Sequence, residues 1–159
     1  MKNNILYLSI PFLIANLIIC MESCKVDECE EIIPTAEYVD LVTHGDTATI
    51  TLSFKDCDGD LGLLPSDTTA PYEFNLFLEY YQLKNGVWEV VGPLPTPYYY
   101  RIPVLETSGN SIITEGEIDI SLIPYYLPGY SDTIKYQIYI VDKALNQSNT
   151  IETDILVVQ

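Results

Sequence analysis

Between residues 47 and 54 the chain reads TATITLSF, with Ala48, Ile50, Leu52 and Phe54 alternating with Thr and Ser. Side chains alternate between the two faces of a strand, so this period of two predicts a strand with one buried face. EGEIDISL (115–122) and IKYQIYIV (134–141) repeat the pattern. YEFNLFLEYYQL (72–83) predicts a long aromatic strand that runs to Asn85-Gly86. That dipeptide suits the positive φ angles of a type I′ turn, and VWEVV (87–91) returns as the hairpin partner. Further strands fit at 37–43, 98–104 and 150–158. About seven or eight strands, punctuated by Gly, Pro, Asn and Asp and almost free of helical periodicity, predict an all-β fold. The expected architecture is a single antiparallel β-sandwich over residues 35–159.

The first residues break this pattern. MKNNILYLSIPFLIANLII is a Lys2-bearing head followed by an apolar run of about fifteen residues, too short for a membrane-spanning helix and suited to a signal-peptide core. Cys20 and Cys24 follow. Ser23 before Cys24 resembles the small residue that precedes the lipidated cysteine of a bacterial lipoprotein, whereas Ile19 before Cys20 is too large for that rule. The resemblance implies a signal peptide over 1–23, lipidation of Cys24 and a tether over 24–34. KVDECEE after Cys24 resembles the short acidic tag that directs lipoproteins of the Bacteroidota to the cell surface. A plain secreted protein, a retained anchor helix and lipidation at Cys20 are the alternatives.

The formal net charge of −16 at pH 7 disfavours nucleic acid or an anionic membrane surface as a partner of the overall field. It favours solubility and cation binding. The only histidine, His44, sits beside Gly45 and Asp46 in an expected turn, and no nucleophile elbow, Cys-His pair or glycine-rich phosphate loop accompanies it. The expectation is therefore a non-catalytic protein.

Taken in order, ATITLSFKDCDGDLG, YRIPVL, GEIDISL and DTIKYQIYIVDKALNQSNTIET resemble the single-domain surface lipoproteins of Bacteroidota with an immunoglobulin or fibronectin type III-like fold. The likeness runs over roughly residues 34–158 and implies an Ig-like sandwich. It also implies an outer-membrane, lipid-anchored module for adhesion, glycan capture or assembly. Two functions follow as expectations: a surface module that binds glycan or protein, or an accessory subunit of a larger outer-membrane assembly.

In such a sandwich the loops after the second and seventh strands share one end. The first of them carries FKDCDGDLG, which places Asp56, Asp58 and Asp60 within five residues; the second carries Asp142 and Asn146. Carboxylates converging in this way would be costly without a cation, and a set of hard oxygen ligands selects calcium. The spacing resembles the opening of an EF-hand loop, but Leu61 stands where that loop needs glycine and no helices flank it, so that motif is rejected. The alternative is a solvated Asp58-Gly59 turn. With Cys24 committed to lipid, Cys29 and Cys57 remain, and a bridge between them would pin the tether to the acidic loop, contributing about 3 kcal/mol by loop-closure entropy. Two free thiols are the other possibility. Thirteen tyrosines supply the candidate ligand surface, with Tyr98, Tyr99, Tyr100, Tyr125 and Tyr126 as anchors for sugar rings or a protein partner. The alternative places them on the sheet as ordinary packing. Arg101 is expected to stack on Tyr99 or to pair with an acidic strand.

Overall fold

The computed structural model describes residue 29 and residues 32–105 and 112–158. The proposed signal peptide, Cys20 and Cys24 lie outside them. Among the described residues the chain forms nine strands and no helix. These are β1 (Thr35–His44), β2 (Thr47–Asp56), β3 (Leu76–Lys84), β4 (Val87–Val90), β5 (Tyr98–Tyr100), β6 (Thr114–Leu122), β7 (Thr133–Ile140), β8 (Ile151–Glu152) and β9 (Leu156–Val157). One sheet has the order β1-β2-β6, and the other runs β4-β3-β7-β8. Strands β4 and β5 divide one edge of β3 between them, while β8 and β9 divide the outer edge of β7. All named pairs are antiparallel, as an Ig-like sandwich requires.

The alternation read from sequence decides which faces meet. Ala48, Ile50, Leu52 and Phe54 of β2 point inward and are buried, as are Ile134, Tyr136, Ile138 and Ile140 of β7. Leu76, Leu78 and Tyr80 of β3 and Ile120 and Leu122 of β6 complete the core. Each fully buried aliphatic side chain stabilises by about 1.5–3 kcal/mol relative to exposure. Tyr136 adds a corner. Its hydroxyl donates to the Tyr125 carbonyl, eleven residues upstream in the β6–β7 connection, which resembles the tyrosine corner of Ig-like domains.

Three elements depart from expectation. The strand expected from residue 72 begins at Leu76, because buried Asn75 uses its side chain on the backbone of Ile102, accepting from its amide at 2.6 Å and donating to its carbonyl at 3.4 Å. The strand expected over 98–104 covers three residues. Among the described residues Arg101 neither stacks on Tyr99 nor pairs with a carboxylate. Its guanidinium donates to the carbonyls of Leu64, Asp67, Tyr72 and Glu73 at 2.6–3.2 Å, which ties β5 to the β2–β3 loop. The final strand is split, since Ile134 to Gln137 on β7 faces Leu156 to Glu152, three steps against four. That extra residue is a bulge, filled by the Thr153 hydroxyl accepting from the Tyr136 amide at 3.0 Å.

The Asn85-Gly86 hairpin has φ values of 52° and 80°, the positive pair that a type I′ turn demands.

Candidate metal centre

Strand β2 ends at Asp56, and its register with β6 sets that residue against Thr114. The last inward position of β2 is therefore a carboxylate, and Asp56 is fully buried. Its Oδ2 accepts from the Leu61 amide at 2.7 Å, which curls the following loop back on the strand end. Asp58 is exposed and Asp60 half-buried, and one carboxylate oxygen from each of Asp56, Asp58 and Asp60 lies within 4.8 Å of the others. Three aspartates thus form a cluster that could hold a metal ion.

Two glycines make the curl possible. Gly59 has a φ of 72°, and a Cβ there would meet the Ile112 carbonyl oxygen at 2.0 Å. At Gly62, with a φ of 124°, a Cβ would meet the Pro103 carbonyl oxygen and the Val104 Cα at 2.7 Å. No other residue fits either position without moving backbone.

The β7–β8 loop closes over this cluster. The Ala144 amide donates to Asp60 Oδ2 at 3.0 Å, and Lys143 pairs with Asp67 at 3.6 Å. Asp142 is buried nearby, and both of its oxygens are occupied: Oδ1 accepts from the Asn146 amide at 2.7 Å and Oδ2 from the Asn146 side-chain amide at 2.8 Å. Leu145, at a φ of 68°, completes this tight turn. The two loops therefore converge as expected. Asp142 and Asn146, however, bond to each other within their own loop, and Asp142 is not one of the three clustered carboxylates.

The electrostatics follow from burial. Desolvation pushes Asp56 up from 3.8 to about 6, helped by the adjacent Asp58 carboxyl and the charge of Asp60, and opposed by the Leu61 amide. Asp60 is raised first by burial and then by the charges of Asp142 and Asp58, while the Ala144 and Lys143 amides pull it down. Oδ1 of Asp56 and Oδ1 of Asp60 are buried without a hydrogen-bond donor. Asp58 could partner Asp56 only by carrying a proton, because two carboxylates have none to share. Such orphaned acceptors normally cost about 1–3 kcal/mol each. The donor set, carboxylate oxygens only, fits a hard cation.

Cys57 lies between Asp56 and Asp58 and is bridged to Cys29, with Cα atoms 5.4 Å apart. The predicted pairing is the observed one.

The tyrosines divide between the two expected readings. Along β5 only Tyr99 faces outward, 41% exposed, because Tyr98 and Tyr100 alternate inward onto the core. Tyr98 sets its ring edge on Tyr136 at 5.8 Å and donates to the Pro124 carbonyl at 3.3 Å. Tyr125 is buried, its amide donating to the Asp46 carbonyl at 3.2 Å, and half-buried Tyr126 packs edge-on against it. Tyr125 is therefore a core residue. Sequence reading missed the partners of Tyr99. Register places Phe77 directly opposite Tyr99 on one side and Tyr139 on the other, so three rings form a row across β5, β3 and β7 with centroids 5.0 Å apart. Phe74 extends the row at 5.9 Å from Tyr99. Farther along the same face, Lys135 lies 4.9 Å over the Trp88 ring and pairs with Glu152 at 2.8 Å.

An antiparallel β-sandwich with an acidic cluster at one end is the class that fold and site define. No family model, curated protein or solved structure matches the chain.

Proposed function

We propose that this protein is a non-catalytic binding module of the cell surface, stiffened by calcium and held at the outer membrane by a lipid on Cys24. Support for the address is confined to the sequence: the apolar leader, Ser23 before Cys24 and the acidic stretch after it. The observation that carries the binding role is the aromatic row on the outer face of the β5-β3-β7 sheet, where exposed Tyr99 stands beside half-buried Phe77 and Tyr139. Phe77 and Tyr139 are nearly parallel, with an interplanar angle of 16°, so they face each other and turn edges outward. Edges and a tyrosine hydroxyl suit a protein partner better than the flat stacking a sugar ring needs. Calcium is the assigned cation because three hard carboxylates of mixed burial match its flexible oxygen coordination, whereas magnesium demands stricter octahedral geometry and retains its water.

Pull-down from detergent-solubilised membranes tests the role, with a Phe77→Ser/Tyr99→Ser variant as control. The expected result is one protein captured by the native chain and lost with the variant. Stoichiometric co-purification of a membrane partner would favour the accessory-subunit form of this function, and retention on a glycan array alone would replace protein with glycan. Capture that is indifferent to the variant would remove the aromatic face from the account.

A further inference from the structure

The acidic cluster and the disulfide are not separate features, because Cys57 is flanked on both sides by carboxylates of the cluster. Resting on the calcium reading above, we propose that the Cys29–Cys57 bridge gates this site: the oxidised chain binds calcium more tightly than the reduced one.

The first support is an independent sign of a ligand. Asp56, a member of the cluster, is fully buried and its Oδ1 has no donor, and the buried Oδ1 of Asp60, another member, has none either. The second is mechanical. Asp56 is fixed by β2–β6 pairing and by the Leu61 amide, and Asp60 by the Ala144 amide. Asp58 is exposed, and its carboxylate has no such hydrogen bond among the described residues. Its backbone is instead held by its neighbours, Gly59 packed under the Ile112 carbonyl and Cys57 bridged to Cys29. Three like charges within 4.8 Å repel one another, so the loop opens at its least constrained member when a restraint is removed. A cation must then gather the carboxylates again, and its affinity falls by that amount.

The redox step balances simply. A dithiol reductant delivers two electrons and two protons, the Sγ–Sγ bond breaks, one thiol forms on Cys29 and one on Cys57, and the reductant leaves as its own disulfide. By thermodynamic reciprocity, calcium must stabilise the bridge by the factor through which the bridge strengthens calcium binding.

Calorimetric titration of the full chain with calcium, oxidised and after dithiothreitol, gives the first measurement. A Cys29→Ser/Cys57→Ser variant provides the same comparison without reductant. The expected result is a dissociation constant at least about fivefold weaker without the bridge, the lower end of usual coupling. The reciprocal measurement uses the native chain only and so survives any folding defect of the variant. Equilibration in dithiothreitol redox buffers should require a higher ratio of reduced to oxidised reagent when calcium is present. Equal affinities together with an unshifted redox midpoint would overturn the gating and leave the calcium site standing. Absence of calcium binding by the oxidised chain would overturn the site and the gating with it.

Discussion

The Ala144 amide donates to Asp60 Oδ2 at 3.0 Å across 84 residues of sequence, joining the β7–β8 loop to the acidic loop after β2. This bond makes the loop end of the sandwich one unit. Asp60 therefore serves two elements at once, and its second oxygen is buried without a donor.

The pH dependence of the chelated protein follows from Asp56. Burial holds its folded value near 6, above the ordinary 3.8, so the folded state binds more protons than the unfolded state between those values. Stability should therefore be greatest on this group's account near pH 4 and fall as pH rises through 6, by no more than about 3 kcal/mol. Urea unfolding in chelator across pH 4–8 should show that decline, and Asp56→Asn should flatten it. Saturating calcium should oppose it, because the ion favours the ionised carboxylate.

Tyr136→Phe removes the donor to the Tyr125 carbonyl while leaving the ring in place. The buried carbonyl is then unpartnered, and stability should fall by about 1–3 kcal/mol with little change in the slope of unfolding against urea. An unchanged midpoint would mean that water reaches the corner.

Arg101→Lys retains the charge and loses the planar fork that reaches four carbonyls. A cost of about 1–2 kcal/mol is expected, with faster proteolysis within residues 64–73. Calcium affinity should change less than stability does, since Arg101 touches none of the three aspartates.

Much of this architecture was legible because period two is a local signal. Ile50, Leu52, Ile138 and Ile140 reveal their face from their neighbours alone, and Asn85-Gly86 reveals its turn. The convergence of the two acidic loops was also legible, since it follows from strand order. What escaped were choices made by side chains that bond backbone. Asn75, Arg101 and Thr153 each cut a strand short or bulge it through partners between 17 and 37 residues away. Asp142 looked like a ligand because its position was right, but its oxygens are satisfied by Asn146 within the same turn. Tyr125 could be read as either anchor or packing because tyrosine tolerates either face, and its place in the β6–β7 connection buries it. The row of Tyr99 with Phe77 and Tyr139 needed cross-strand register, which no short stretch contains.

Calcium-dependent melting tests the central claim most directly. Binding to the folded state alone raises stability with the logarithm of free calcium over its dissociation constant, and extracellular sites often bind at roughly 0.1–1 mM. The melting temperature of the full chain should rise between chelator and 10 mM calcium by several degrees, on the order of 1–3 kcal/mol in stability. Magnesium should give less. Asp58→Asn and Asp60→Asn should each abolish most of the rise, whereas Asp142→Asn should lower the melting temperature in both conditions and retain part of it. Identical melting in chelator and in calcium, with the native chain and the Asp58→Asn variant indistinguishable, would contradict the account and leave Asp56, Asp58 and Asp60 as a hydrated turn.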